Sequence, residues 1–343
     1  MAIKPVYSIA LIVAFVLFDN AAAAHSYARV ERVAFLGQRA LRLTDGQTEA
    51  LVVPRAGRVM RYGKVGGPNL LWYPTRQSWR QGQNNHGGIK TWLAPQSYWR
   101  VFHGARYGIW PPDPALDGDP YAASILPGAK ICLRSNASHR TGIRVEKTIA
   151  FAQDGDLLIT LTARKVAGAP VRAALWVLLD VLRGEAVYAP SNPESPYRNR
   201  CFNLVAVPDD INARTAISQD LMRLEPRGRF ERKLGFDAPV AAIASVRNGS
   251  ALIATEPLRP GQYPDGALGA GFPVEFYSDP AQPYYELELL GALTDAVAGT
   301  FWTQTVRLSV RDLPSQDARS AETVEAVRQL FAATRTRSIG SPL

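Results

Sequence analysis

Ile143-Arg144-Val145-Glu146-Lys147-Thr148-Ile149-Ala150-Phe151 leads through Gln153-Asp154-Gly155-Asp156 into Leu157-Leu158-Ile159-Thr160-Leu161-Thr162-Ala163. Apolar and polar residues alternate through both arms, as they do where successive side chains point to opposite faces of a strand. The joining residues are turn formers, with a glycine among aspartates. The same grammar repeats along the chain. Runs of this kind occupy Ala50–Val53, Arg58–Lys64, Ala129–Leu133, Val171–Leu182, Phe202–Val207, Arg229–Phe236 and Val240–Val246. Others occupy Ala251–Thr255, Val274–Tyr277, Tyr284–Leu290 and Phe301–Val310, with turns such as Arg247-Asn248-Gly249-Ser250 between them. Many short strands without interleaved long helices predict an all-β fold, a large antiparallel β-sandwich or barrel.

A helix is expected over Ala321–Thr334, where Val324, Val327, Leu330 and Phe331 recur at helical spacing and Ser320 can cap the start. No linker divides the strand-rich body. The expected organisation is a segment 1–24, one sandwich domain over 25–313, and a short C-terminal helix and tail over 314–343.

Residues 1–24 read as a secretory signal peptide. Lys4 gives the positive start, Ser8 to Phe18 is an apolar run, and Ala21-Ala22-Ala23-Ala24 supplies small residues before His25. The run is too short to span a bilayer, and no later stretch approaches about 20 apolar residues. The mature chain is therefore expected in the periplasm or secreted, and not membrane-spanning. The leader contains one cation and one anion, so its removal leaves the net charge of +9 unchanged. The cations are scattered along the chain rather than clustered, which argues against nucleic acid as a partner. Cys132 and Cys201 both fall in the mature chain, and spacing alone leaves their pairing open.

Between Leu71 and Tyr121 lie five of the seven tryptophans and two of the four histidines, in a stretch rich in Asn, Gly, Pro and Arg. Its centre, Gln83-Asn84-Asn85-His86-Gly87-Gly88-Ile89-Lys90-Thr91-Trp92-Leu93-Ala94-Pro95-Gln96, shows neither period 2 nor period 3.6. It reads as a long functional loop suited to a neutral, hydroxyl-rich ligand. Aromatic faces (Trp92, Trp99, Trp110) would stack on sugar C–H surfaces, while Asn84, Asn85, Lys90 and Gln96 would bond hydroxyls. Gly87-Gly88 would allow a tight turn or a close approach to the ligand. Asp113 closes the stretch. With Asp117-Gly118-Asp119 it makes an incomplete calcium pattern, so no metal and no cofactor is expected. No nucleophile elbow, phosphate-binding glycine loop or CxxC pair is present.

Tyr284-Tyr285-Glu286-Leu287-Glu288-Leu289-Leu290 places two carboxylates at i and i+2, on one face of a strand whose other face is apolar. Neighbouring like charges raise a pKa, a route to a general base or acid near neutral pH. Solvent exposure of both residues is the plainer alternative.

These motifs resemble those of galactose mutarotase-like proteins. Leu51-Val52-Val53-Pro54-Arg55-Ala56-Gly57-Arg58-Val59 and Gly67-Pro68-Asn69-Leu70-Leu71-Trp72 are similar to the opening of that superfamily, and His86-Gly87-Gly88 to the His-Gly-Gly of aldose 1-epimerases. Gly87-Gly88-x-x-x-Trp92-x-x-Pro95-Gln96 with Trp110-Pro111-Pro112-Asp113-Pro114 more closely resembles the DUF4380 family within it. Ala174-Leu175-Trp176, Gly261-Gln262-Tyr263-Pro264-Asp265-Gly266 and Tyr285-Glu286-Leu287-Glu288 agree, so the resemblance runs from about Ala50 to Val310.

The resemblance implies a supersandwich that carries a sugar or oligosaccharide on its concave face. It also implies an aldose 1-epimerase-like isomerase chemistry, in which a late-strand glutamate takes the anomeric proton and a histidine protonates the ring oxygen. Glu286 or Glu288 would be the base, with His86 the available histidine. Asn85, Lys90, Trp92, Gln96, Trp110 and Asp113 would hold the ligand. Where epimerases carry the acid histidine, this chain runs Ala174-Leu175-Trp176-Val177, so binding is better supported than turnover. The alternative is a non-catalytic envelope or structural module that binds a protein or polysaccharide through the aromatic patch.

Overall fold

The computed structural model describes residues 28–75, 85–100, 112–205, 215–218, 220–225, 230–266, 268 and 271–340, with side chains to residue 334. The leader read at 1–24 and His25 lie outside them, as do His103 and Trp110.

Two antiparallel sheets form the body. The larger, in spatial order, contains β1 (Arg29–Phe35), β2 (Gln38–Thr44), β3 (Thr48–Val53), β4 (Arg58–Lys64), β5 (Ile89–Ala94), β10 (Val171–Leu182), β19 (Tyr284–Leu290), β18 (Val274–Ser278), β15 (Arg232–Phe236) and β12 (Phe202–Asn203). A short β20 (Thr294–Ala296) pairs with the start of β10. The smaller runs β13 (Thr215–Ile217), β14 (Leu221–Leu224), β11 (Ala186–Pro190), β16 (Ala241–Arg247), β17 (Ser250–Glu256), β21 (Phe301–Asp312), β9 (Leu157–Lys165), β8 (Ile143–Phe151), β7 (Lys130–Arg134) and β6 (Ala122–Leu126). The all-β sandwich expected from the sequence is the observed fold.

Period-2 alternation builds the core. Leu175, Val177, Leu179 and Val181 of β10, with Leu287 and Leu289 of β19, meet Val145 and Ile149 of β8, Ile159 and Leu161 of β9, and Val306 and Leu308 of β21. Each such fully buried side chain contributes about 1.5–3 kcal/mol of transfer free energy. The turn at Asn248-Gly249 has positive φ at both residues, 49° and 68°, as a two-residue hairpin requires.

The C-terminal helix α1 spans Ala321–Gly340, longer than expected from the sequence. Ser320 Oγ accepts the Thr323 amide at 3.2 Å, capping it. Val327 and Phe331 pack on Tyr188, Ala242, Ala244 and Ile253, covering the outer face of the smaller sheet. Among the described residues no helix is long and apolar enough to cross a membrane. Cys132 and Cys201 are both buried and not joined to one another.

One expectation needs correction. The supposed long loop contains β5, whose residues Ile89–Ala94 are all buried and pair along β10 in mid-sheet. Its alternation is invisible in the sequence because both faces are covered. Ile89 and Leu93 enter the inter-sheet core, while Trp92 and Ala94 pack with Trp176 on the opposite face.

Candidate functional site

The outer face of the larger sheet is charged at its centre. Opposite β10's core residues point Trp176, Leu178 and Asp180. Across from them on β19 stand Leu290, Glu288 and Glu286, and on β5 Trp92 stands across from Trp176 and Lys90 from Leu178. β18 adds Glu275 opposite Glu288 and Tyr277 opposite Glu286, and β15 adds Lys233. Glu286 and Glu288 therefore share one face, with Tyr285, Leu287 and Leu289 in the core.

Two ion clusters result. Lys90 Nζ lies 2.6 Å from Glu286 Oε1 and 3.1 Å from Asp180 Oδ1. Lys233 Nζ lies 3.0 Å from Glu275 Oε2 and 3.5 Å from Glu288 Oε2. Trp176 joins them. Its indole donates to Glu288 Oε2 at 2.9 Å, its ring carries the Lys233 ammonium at 4.1 Å, and its edge meets Trp92.

Each cluster holds more carboxylates than ammonium groups in a dry environment, and the titrations follow. Burial pushes Asp180 up to about 7; Lys90 opposes this and Glu286 adds to it. Burial likewise lifts Glu275 to about 7 and Glu288 well above the ordinary range, against Lys233. For Lys90 and Lys233 burial works the other way, but their carboxylate neighbours outweigh it and both pKa values rise.

Beside Lys90, Asp117 is buried and ion-paired with Arg58, and it accepts the Trp92 indole N–H at 2.6 Å. Burial alone would raise this carboxyl, yet Arg58 and Lys90 hold it below the usual range. Arg58 also donates to the Gly87 carbonyl at 2.7 Å. His86, half-buried here, has a pKa lowered by burial and then by the Arg58 charge.

The polar face meets solvent narrowly, at Lys233 with its side chain 12% exposed and at Glu286. The Glu286 side chain is 10% exposed, whereas Asp180, Glu275 and Glu288 are at 0%. Oε1 of Glu286 takes the Lys90 ammonium, and the carboxyl faces Asp180 across the strand pair. Next to it Tyr284 stacks on Trp72 at 4.5 Å, and Asn85 Nδ2 donates to the Tyr284 hydroxyl at 2.7 Å. Asn85 Oδ1 in turn receives the Gly87 amide at 3.0 Å.

The structure thus brings together Asn85, Lys90, Glu286 and Glu288, with His86 near Arg58 and Asp117, but it alters several expected roles. Trp92 is packed edge-on against Trp99 and Trp176 and only 6% exposed, so it cannot offer a stacking face. Asp113 serves its own turn, accepting from Ser138 Oγ and from the Ala115 amide at 3.2 Å. Gln96 opens a short 3-10 turn beyond β5, half-buried. Trp110 lies outside the described residues. The close approach at Gly87-Gly88 is to the chain itself. Both have φ of +72°, and a Cβ would come within 2.4 Å of the Trp72 carbonyl or the Val59 carbonyl respectively. No group of three metal-ligating side chains occurs among the described residues.

Arg58, Lys233 and Glu275 carry no site signal in the sequence pattern, and Asp117 stands out there only within an incomplete calcium pattern. A signal existed for Asp180, the lone charge in the last ten residues of an otherwise apolar strand, since a buried charge needs a partner.

In three dimensions the chain has the galactose mutarotase-like fold. It matches a galactose 1-epimerase from Lactobacillus acidophilus with a TM-score of 0.55, covering 83% of this chain and 98% of that one at 9% identity. The mutarotase candidate YeaD from Salmonella typhimurium gives 0.54 over 83% and 94% of the two chains, at 13% identity. A galactose mutarotase-like protein from Lactobacillus casei gives 0.53 over 79% and 100%, at 11% identity. No family model and no curated protein matches the sequence.

Proposed function

We propose that this chain is an exported carbohydrate-binding protein of the DUF4380 kind, which takes a sugar or short oligosaccharide on the outer face of its larger sheet at Glu286. The carrying observation is Glu286, the one carboxylate of this face that keeps any exposure, flanked by the Trp72–Tyr284 stack and the Asn85 amide and in front of a row of buried charges. An aromatic face, a carboxylate acceptor and an amide able to donate and accept are what a pyranose requires. The fold shared with a galactose 1-epimerase supports the ligand class, and the leader read at residues 1–24 supports export to the periplasm or beyond.

Epimerase chemistry is the narrower form of this reading. Glu286 would take the anomeric proton through Oε2, and Asp180, fully buried and held near neutral, would exchange a proton with Glu286 rather than with the sugar. His86, beside Arg58 and Asp117 with its pKa lowered by burial, would be a weak donor to the ring oxygen. A second reading, binding without turnover, is favoured by Lys90. An ammonium 2.6 Å from the carboxylate commits one of its oxygens to an ion pair and leaves a single oxygen for the sugar.

Polarimetry on freshly dissolved α-galactose and α-glucose separates the two. Acceleration of anomer exchange that disappears in Glu286→Gln supports the isomerase. Sugar binding by calorimetry without acceleration supports the binding module. Absence of both across a broad glycan panel, with the fold intact, rejects a carbohydrate site.

A further inference from the structure

The two sheets end differently where β1 and β6 form their edges. β1 carries Arg29, Glu31 and Arg32 within seven residues, the charged kind of edge that resists pairing with other chains. β6 reads Ala122-Ala123-Ser124-Ile125-Leu126, without charge, proline or glycine, and all five residues are exposed. It pairs with β7 alone among the described strands, which leaves one row of backbone donors and acceptors open.

Between β6 and the β1–β2 hairpin lies a recess of about 560 Å³, with Leu41, Pro54 and Ile125 on its lining. Arg32 and Arg39 stand on the same lining, and no carboxylate does. On β7, Lys130 and Arg134 sit opposite the two ends of β6, paired with Leu126 and Ala122. All four cations are exposed, and none forms an ion pair among the described residues.

We propose that β6 is an acceptor edge for an extended acidic segment of a partner protein, which adds to the sheet as a further strand. The open backbone row supplies the main-chain bonds of strand addition, and the recess accepts alternate apolar side chains. Arg32 and Arg39 beside the recess, and Lys130 and Arg134 on the opposite face of β7, favour an acidic segment over a neutral or basic one. A second copy of this chain offers an uncharged β6 with further cations behind it on β7, so it lacks the complementary charge that an acidic segment brings.

The probe is a fluorescein-labelled decapeptide of alternating Glu and Val, with a Lys–Val peptide as control. It is titrated into the full chain by anisotropy, and hydrogen exchange of residues 122–126 is followed at saturation. Saturable binding of the acidic peptide, weakened at about 0.5 M salt, is expected together with slowed exchange in β6. Arg32→Glu/Arg39→Glu, at exposed positions, should lower its affinity at least about tenfold while thermal unfolding stays unchanged. The proposal is overturned by absence of saturable binding, by binding that leaves β6 amides unprotected, or by equal affinity in the double variant. It is also overturned if β6 protection grows with protein concentration alone, which would assign the edge to self-association.

Discussion

Asp180 and Glu286 stand directly opposite one another on antiparallel β10 and β19, and both contact the single ammonium of Lys90. One cation cannot neutralise two carboxylates in a site where Asp180 is wholly buried, so the pair holds a proton near neutral pH. The adjoining pair, Glu275 and Glu288 on Lys233, repeats the arrangement one strand further on.

Lys90→Met removes the cation and leaves both carboxylates beside each other. A loss of about 3–5 kcal/mol in unfolding free energy is expected at pH 8, the cost of stranding a buried ion-pair partner. The loss should shrink at pH 5, where the carboxylates take up protons. Urea unfolding at the two pH values checks both statements, and a loss that does not depend on pH contradicts the coupling.

Stability should fall as pH rises from about 5 to about 8. Asp180, Glu275 and Glu256 are each lifted by burial to about 7, and Glu288 is also raised. A carboxyl whose folded pKa exceeds its unfolded one binds more protons when folded. Its contribution is therefore full below the unfolded value near 4 and lost as pH climbs through about 7. Lys147 acts in the next window. Burial, then Arg58, depresses it to about 7, so the unfolded chain binds the extra proton between about 7 and 10.5, and stability recovers toward alkaline pH. Melting temperatures across pH 5–9 test the profile. Glu256→Gln, which removes a buried carboxyl bonded to Gln304, should flatten its acid limb.

The sandwich was readable because most strands bury one face. Ile143–Phe151 and Leu157–Lys165 alternate in sequence as they alternate in burial. β5 was not readable, since a central strand covered on both sides carries no alternation, and its Lys90 and Trp92 suggested a loop. Glu286 and Glu288 stood out because they share a face by simple parity. Their partners could not be found that way. Lys233 and Asp180 come from strands far away in the chain, and only the pairing order β5-β10-β19-β18-β15 sets them in one field.

Gly88→Ala should cost at least about 2 kcal/mol. The residue sits at φ +72°, and a Cβ would lie 2.4 Å from the Val59 carbonyl and 2.9 Å from Met60 Sδ. Its amide also bonds Trp72 O at 2.8 Å, and its carbonyl receives the Asp180 amide at 3.0 Å. A strained, shifted Gly88 would therefore move the strand end that holds Asp180. A denaturation midpoint within error of the parent would show that the approach relaxes without consequence.

Tyr284 offers two separable contributions to the proposed sugar site. Tyr284→Phe keeps the ring on Trp72 but removes the bond from Asn85, and should weaken sugar binding about fivefold, the equivalent of one hydrogen bond. Tyr284→Ala removes the ring as well, freeing Trp72 and Asn85 together, and should weaken binding by more than about tenfold. It should also destabilise the fold by about 3 kcal/mol, since Tyr284 is buried, with 7% exposure. Calorimetric titration of both variants, beside their unfolding curves, distinguishes the outcomes. Affinity that follows stability alone would mean that Tyr284 only supports the sheet. Affinity lost in Tyr284→Phe at unchanged stability would place the Asn85–Tyr284 contact at the ligand.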